Sequence, residues 1–167
     1  MLTVDDVMTK NPITISPEIS VSDAATVMRT NRIGAVPVTK NGKVVGIITE
    51  TDLLRLLNVD EITDDLWLPS PLEVIELPIR EAINWEKTKK ALTDISETKV
   101  ADVMTSDVLV ARPDDEIEAA AAKMLKKKIA RLPVVGENNL IVGIVTKSDL
   151  IWGMSRQHGV VQDSDTE

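Results

Sequence analysis

Two hydroxyls and a carboxylate recur together in this chain. Thr49, Thr51 and Asp52 sit in Gly46-Ile47-Ile48-Thr49-Glu50-Thr51-Asp52, and Thr146, Ser148 and Asp149 sit in Gly143-Ile144-Val145-Thr146-Lys147-Ser148-Asp149. In each copy a β-branched run suited to a buried strand leads into an apolar pair, Leu53-Leu54 or Leu150-Ile151, that opens a helix. The first N–H groups of a helix lack internal partners and its dipole adds partial positive charge, so such a junction can hold an anion. The same residues have a plainer use: Thr-x-x-Asp is an acceptable capping box, in which both side chains satisfy groups of their own helix end. Boxes favour Glu or Gln at the last position, whereas both copies carry the shorter Asp with a further hydroxyl just before it. Capping and ligand binding both stay open on the motif alone.

Other chemistry is sparse. The one histidine, His158, falls in a polar tail, so no Ser-His-Asp arrangement, histidine metal cluster or histidine base is expected. There is no cysteine, which excludes disulfides and thiolate zinc sites and fits a reducing interior. Neither a Walker A sequence nor Gly-x-Gly-x-x-Gly occurs. The remaining carboxylates fall mostly at helix starts and on polar faces, where they cap or are solvated. Neither catalytic residues nor a metal site nor a catalytic cofactor is expected.

Charge narrows the partners. A formal net charge of −8 argues against nucleic acid, which needs a Lys/Arg surface to displace counterions. The basic cluster Lys126-Lys127-Lys128 ends a predicted helix, where cations favour the dipole. With no Tyr or Phe and only Trp67, Trp85 and Trp152, stacking platforms for single strands are missing too. The acidic start Met1 to Asp6 lacks a signal-peptide core, and no apolar run approaches the ~18 residues that span a bilayer. No membrane partner and a cytoplasmic location are therefore expected. The 43% apolar and 28% charged content is that of a globular chain able to bury a core.

The elements that must position the two junctions are themselves duplicated. Asp6-Val7-Met8-Thr9 returns 96 positions on as Asp102-Val103-Met104-Thr105, and Pro17, Ala24, Met28, Ile33 and Pro37 return as Pro113, Ala120, Met124, Ile129 and Pro133. After the turn the offset is 97, Gly46 to Gly143, so one residue is added in a loop. Within each copy, short strands are expected at Ile13-Thr14-Ile15 and Val108-Leu109-Val110. Val21, Ala24, Ala25, Met28 and Ile117, Ala120, Ala121, Met124 then follow helical spacing with a core face. Strands over Ala35–Val38 and Leu132–Val135 come next, with turns at Asn41-Gly42 and at Gly136-Glu137-Asn138-Asn139. Pro37 and Pro133 offer no ladder donor, which places them on edges or bulges and leaves backbone groups of their neighbours open to a ligand.

The stretch between the copies is too long for a plain loop. A turn is expected over Asp64–Pro71 and an amphipathic helix over Trp85–Ile95, capped by Asn84, packing on the repeats or sharing in a subunit contact. The organisation expected is repeat 1 at 1–57, a structured linker at 58–99, repeat 2 at 100–155 and a disordered tail at 156–167.

The repeat, with Asp-Val-Met-Thr in front and Gly-Ile-Ile-Thr-x-Thr-Asp behind, resembles the CBS domain, named after cystathionine β-synthase, over Val4–Leu57 and Val100–Met154. Two copies imply a CBS pair, or Bateman module. The fold class implied is α/β of α+β type, two β-α-β-β-α repeats packed about a pseudo-twofold axis, with clefts for adenosine-containing ligands such as AMP, ADP, ATP or S-adenosylmethionine. By that resemblance the clefts lie between the two repeats: Asp149, Thr146 and Ser148 would serve one, with a base pocket from Ile13, Ile33, Gly34, Ala35 and Pro37 of the other repeat. Asp52, Thr49 and Thr51 would serve the other, with Leu109, Ile129, Ala130 and Pro133. The aspartates would take ribose hydroxyls, and basic side chains the phosphates. Arg131 has Ala35 as its counterpart, so the clefts should not handle phosphate equally, and one such Arg in an acidic chain points to a monophosphate or phosphate-free ligand.

The function expected is thus a stand-alone regulatory or sensor module, a homodimer by family habit, whose ligand alters the placement of the repeats for an unknown downstream protein to read. The rival is a structural dimerisation or adaptor module in which the Thr and Asp pairs only cap. An enzyme with carboxylate chemistry is a distant third.

Overall fold

The computed structural model describes residues 1–56 and 93–157; the turn expected over Asp64–Pro71, most of the helix expected over Trp85–Ile95 and the tail from 158 onward lie outside the described residues. Residues 93–97 are helical. The order of elements is α1 (Val4–Val7), β1 (Thr9–Lys10), α2 (Val21–Asn31), β2 (Ala35–Lys40), β3 (Lys43–Thr49) and α3 (Glu50–Leu56), then α4 (Val100–Val103), α5 (Ile117–Lys127), β4 (Arg131–Val135), a 3-10 turn (Glu137–Asn139), β5 (Ile141–Thr146) and α6 (Lys147–Gln157). This is a mixed α+β fold with antiparallel strands.

The long helices follow their apolar spacing. Val21, Ala24 and Met28 of α2 are buried, as are Ile117, Ala120 and Met124 of α5; Ala25, expected on the core side, is exposed. The β2–β3 turn has Asn41 and Gly42 at φ +53° and +76°, the left-handed pair that a two-residue hairpin needs. Asn138 and Asn139, also left-handed, make the longer turn between β4 and β5.

The chain divides into two compact units, and the boundary crosses β2 and β3. One unit holds Met1–Ile15, Pro37–Ile47 and the described residues from Thr105 on. Its sheet has the order β1-β5-β4, with Thr9 opposite Ile144, Arg131 opposite Thr146, and a bulge between Val134 and Val135. Val4, Ala111, Ile117, Ala120, Met124, Leu132, Val134, Val145 and Leu150 form its core. The backbone N–H of Val4 donates to Asp115 C=O at 2.8 Å, so α1 is tied to the segment leading into α5. Two glycines permit close approach: a Cβ on Gly143 would collide with Met8, and one on Gly153 would sit 2.7 Å from Val7 Cγ1.

The other unit holds Ser16–Val36 and the described part of Ile48–Met104. Here α2 packs on α3 and α3 on α4. The N–H groups of Val100 and Ala101 donate to Ile19 and Pro17, both at 2.9 Å, and Val21 N–H donates to Thr98. Lys99 Nζ reaches Glu18 Oε2 at 2.7 Å, which raises the Lys99 pKa.

Three expectations need correction. Ile13–Ile15 and Val108–Val110 do not form strands; each copy contributes one bridge residue, Ile15 beside Val38 and Ala111 beside Val134. Pro12, Pro17 and Pro113 have no N–H, which stops pairing from spreading along either segment. Those bridges also occupy the proline edges. Ile15 N–H donates to Pro37 C=O and Ile15 C=O accepts from Thr39 N–H, while Ala111 does the same with Pro133 and Val135, so the C=O of each proline and the N–H two residues on are not left open. Finally, α6 continues to Gln157 instead of giving way to tail after Ser155, held by Ser155 Oγ on Ile151 C=O (2.9 Å) and by Arg156 stacked 4.7 Å over the Trp152 ring.

Candidate functional site

Each junction is assembled from a helix end and a hairpin of its own repeat. Helix α2 closes with Arg32 at φ +53° and Ile33 N–H on Met28 C=O, and α5 closes with Lys128 at φ +54° and Ile129 N–H on Met124 C=O. These are Schellman turns made without glycine. They turn the chain so that Gly34 C=O accepts from Glu50 N–H at 3.1 Å in one repeat, and Ala130 C=O accepts from Lys147 N–H at 2.9 Å in the other. The residues entering β2 and β4 therefore lie against the Thr-x-x-Asp turns that start α3 and α6.

The two turns have one geometry. Asp52 Oδ2 accepts from Thr49 N–H and Thr49 Oγ1, both at 2.9 Å, while Asp52 N–H donates to Thr49 Oγ1 at 3.3 Å. Asp149 Oδ2 does the same with Thr146 at 2.7 and 2.7 Å, returned at 3.3 Å. Capping is thus a real function of both aspartates. The same box recurs where no repeat motif announces it: Asp6 Oδ2 accepts from Thr3 N–H at 2.8 Å and from Thr3 Oγ1 at 2.9 Å. Those two bonds hold the exposed Asp6 carboxyl below its ordinary pKa. Thr3-Val4-Asp5-Asp6 had the right spacing to be found, but no strand precedes it.

What sets the two junctions apart is what capping leaves unused. Only Oδ2 is engaged in each; Oδ1 makes no hydrogen bond among the described residues, and no fully buried side-chain oxygen there lacks a partner, so Oδ1 is not sealed from solvent. Asp52 is 9% exposed and is the one buried charged side chain among the described residues. Thr51 and Ser148 are exposed. A carboxylate fixed through one oxygen and offering the other is preorganised to accept hydroxyl donors, and bonds to an ionised acceptor are the stronger kind.

The other expected site residues fall as follows. Ala35, Pro37 and Pro133 are buried; Ile33, Gly34, Ile129, Leu109, Thr49 and Thr146 are half-buried; Ile13 and Ala130 are exposed. Ile33, Gly34 and Ala35 share a unit with Asp52, while Ile13, Pro37, Leu109, Ile129, Ala130, Arg131 and Pro133 share a unit with Asp149. Arg131, which the sequence assigned to no particular aspartate, stands directly across the ladder from Thr146; the residue is half-buried and makes no ion pair among the described residues. The readable signal was the hairpin register fixed by the turn.

A family model described as the CBS domain matches residues 4–59 and again 100–156. The chain belongs to the CBS domain family. It carries the domain twice, as a CBS pair. It is similar to an uncharacterized protein of Methanocaldococcus jannaschii, 41% identical over 152 residues that cover 90% of each chain. The structure of CBSX2 in complex with AMP, a protein of Arabidopsis thaliana, matches with a TM-score of 0.68 at 25% identity, covering 95% of this chain and 99% of that one. The CBS domain pair of protein MJ0100 in complex with 5′-methylthioadenosine and S-adenosyl-L-methionine matches with a TM-score of 0.63 at 28% identity, covering 96% and 98%. Against some other curated relatives the CBS pair spans less than half of the protein's length. No helix among the described residues is long and apolar enough to cross a membrane.

Proposed function

We propose that this CBS pair is a regulatory, non-catalytic module that binds adenosine-containing ligands of the AMP, ADP, ATP or S-adenosylmethionine type at its two strand-to-helix junctions. The observation that carries this reading is that Oδ1 of Asp52 and of Asp149 makes no hydrogen bond among the described residues, while each aspartate is held in place by its bonds to Thr49 or Thr146. Ribose hydroxyls are the donors such an oxygen suits, and exposed Thr51 and Ser148 precede the two aspartates in the chain. That related pairs are seen with AMP, and with 5′-methylthioadenosine and S-adenosyl-L-methionine, supports the same ligand class here. The setting proposed is cytoplasmic and homodimeric, with a protein partner reading the bound state.

A thermal-shift panel of AMP, ADP, ATP, S-adenosylmethionine and 5′-methylthioadenosine tests this. A one-site ligand at 100 times its dissociation constant adds ~2.7 kcal/mol. The adaptor reading has one observation in its favour, the identical box at Thr3 and Asp6, which caps with no such ligand in view. It gains if no compound moves the melting curve.

A further inference from the structure

Helix α5 buries Ile117, Ala120 and Met124 and leaves Glu118, Ala119, Ala122, Leu125 and Lys126 exposed. These five share one stripe, because steps of three and four residues return to the same side of a helix. Leu125 is 71% exposed, more than any other large apolar side chain among the described residues except Met1. The charge around it is sorted by end. Glu116 and Glu118 stand at the start of the helix and Lys126, Lys127 and Lys128 at its close, and none of them has an ion-pair partner among the described residues. The helix dipole favours both groups and accounts for the charges. It does not account for a leucine left in water beside two alanines. Nor does the fold require such a face: 96 positions earlier, α2 carries Ser22, Asp23, Thr26, Arg29 and Thr30 at the same places, all polar and all exposed.

Resting on the homodimeric setting given above, we propose that this face of α5 docks on the same face of a second copy, antiparallel about a twofold axis at Ala122. Ala122 is the centre of the stripe, with Glu118 and Lys126 four residues to either side and Ala119 and Leu125 three. An antiparallel partner therefore sets Glu118 against Lys126 of the partner subunit and Ala119 against the partner's Leu125, and the symmetry makes each contact twice. A twofold interface needs a patch that is its own complement, and this one is, in charge and in size. Parallel α5 helices would instead set like charges together at both ends. Alanines at the centre let the two axes approach toward the short end of the ~8–10 Å range of packed helices, which covers Leu125. The α2 face offers water nothing it would gain by losing.

Sedimentation velocity of the full chain over a concentration series tests the surface. Expected is a monomer–dimer equilibrium whose dissociation constant rises by about a hundredfold in Leu125→Glu, an exposed residue that enters the interface twice. Glu118→Lys and Lys126→Glu should each weaken the dimer by roughly tenfold, and the two together should restore it. Both reversals oppose the helix dipole, so recovery in the double variant cannot come from a better-formed helix. A dimer indifferent to Leu125→Glu, or a double reversal no tighter than the single ones, would overturn the α5 surface and leave the homodimer standing. A starting protein that stays monomeric throughout would overturn both.

Discussion

At the scale of single residues, Asp52 and Asp149 each have two separable duties, one per carboxylate oxygen. Replacing either with Ala removes both: a loss of about 1 kcal/mol from the cap is expected, together with loss of ligand. Asp→Asn keeps an oxygen for the Thr N–H but gives up the charge, so the cap is weakened less than by Ala while affinity still falls. Chemical denaturation and titration of the two variants side by side decide it; equal affinity for Asp149→Asn and the starting protein would leave capping as the whole role. Asp6 is the internal control, with the same box and no proposed ligand. Its pKa is lowered in the fold, so its contribution is complete above the unfolded value near 3.8 and disappears as pH falls through the lower folded value. Asp6→Asn should therefore melt lower than the starting protein at pH 6, with the gap closing below about pH 3.8. A gap that stayed constant with pH would contradict the sign.

At the scale of elements, helices and hairpins were legible because their signals are local. Apolar residues three and four apart fixed α2 and α5, and Asn41-Gly42 fixed the first hairpin through its two positive φ values. The segments around Ile15 and Ala111 were misread as strands because their apolar residues look strand-like while the flanking prolines deny them a ladder. The Schellman turns were invisible because Arg32 and Lys128 stand where glycine is the usual marker. That departure is testable. Lys128→Gly trades left-handed strain of roughly 1–2 kcal/mol for a backbone entropy cost of roughly 0.4–1, and should raise the melting temperature modestly. Gly143→Ala works the other way. Its Cβ meets the Met8 side chain and lies 3.1 Å from Thr9 C=O, so the β1–β5 contact must open and a loss of roughly 1–3 kcal/mol is expected. A Gly143→Ala protein that melts with the parent would mean that β1 can shift at no cost.

At the scale of the molecule, the sequence repeat and the unit in space are different things. The sequence places Val4 to Leu57 in one copy, yet α1 of that copy is built into the unit that holds α5, β4, β5 and α6. Val4 is fully buried in that core beside Ile117 and Leu150, and its N–H is bonded to Asp115. Reciprocally, α4 of the second copy belongs with α2 and α3 through Val100, Ala101, Ile19 and Pro17. Periodicity cannot show this, since it reports which residues are buried and not against what; the bonded partners lie about a hundred positions away. The exchange has a consequence for stability. Val4→Ala removes two methyl groups from a packed core, a loss of roughly 2 kcal/mol once the remaining cavity is included. If the unit in space is what unfolds together, amide exchange should rise in Ile117–Lys127 and Lys147–Gln157 and stay near its starting value in Val21–Asn31, the helix of Val4's own repeat. Exchange rising instead in Val21–Asn31 would mean that the chain folds by sequence repeat, and that the exchanged helix is only an attachment.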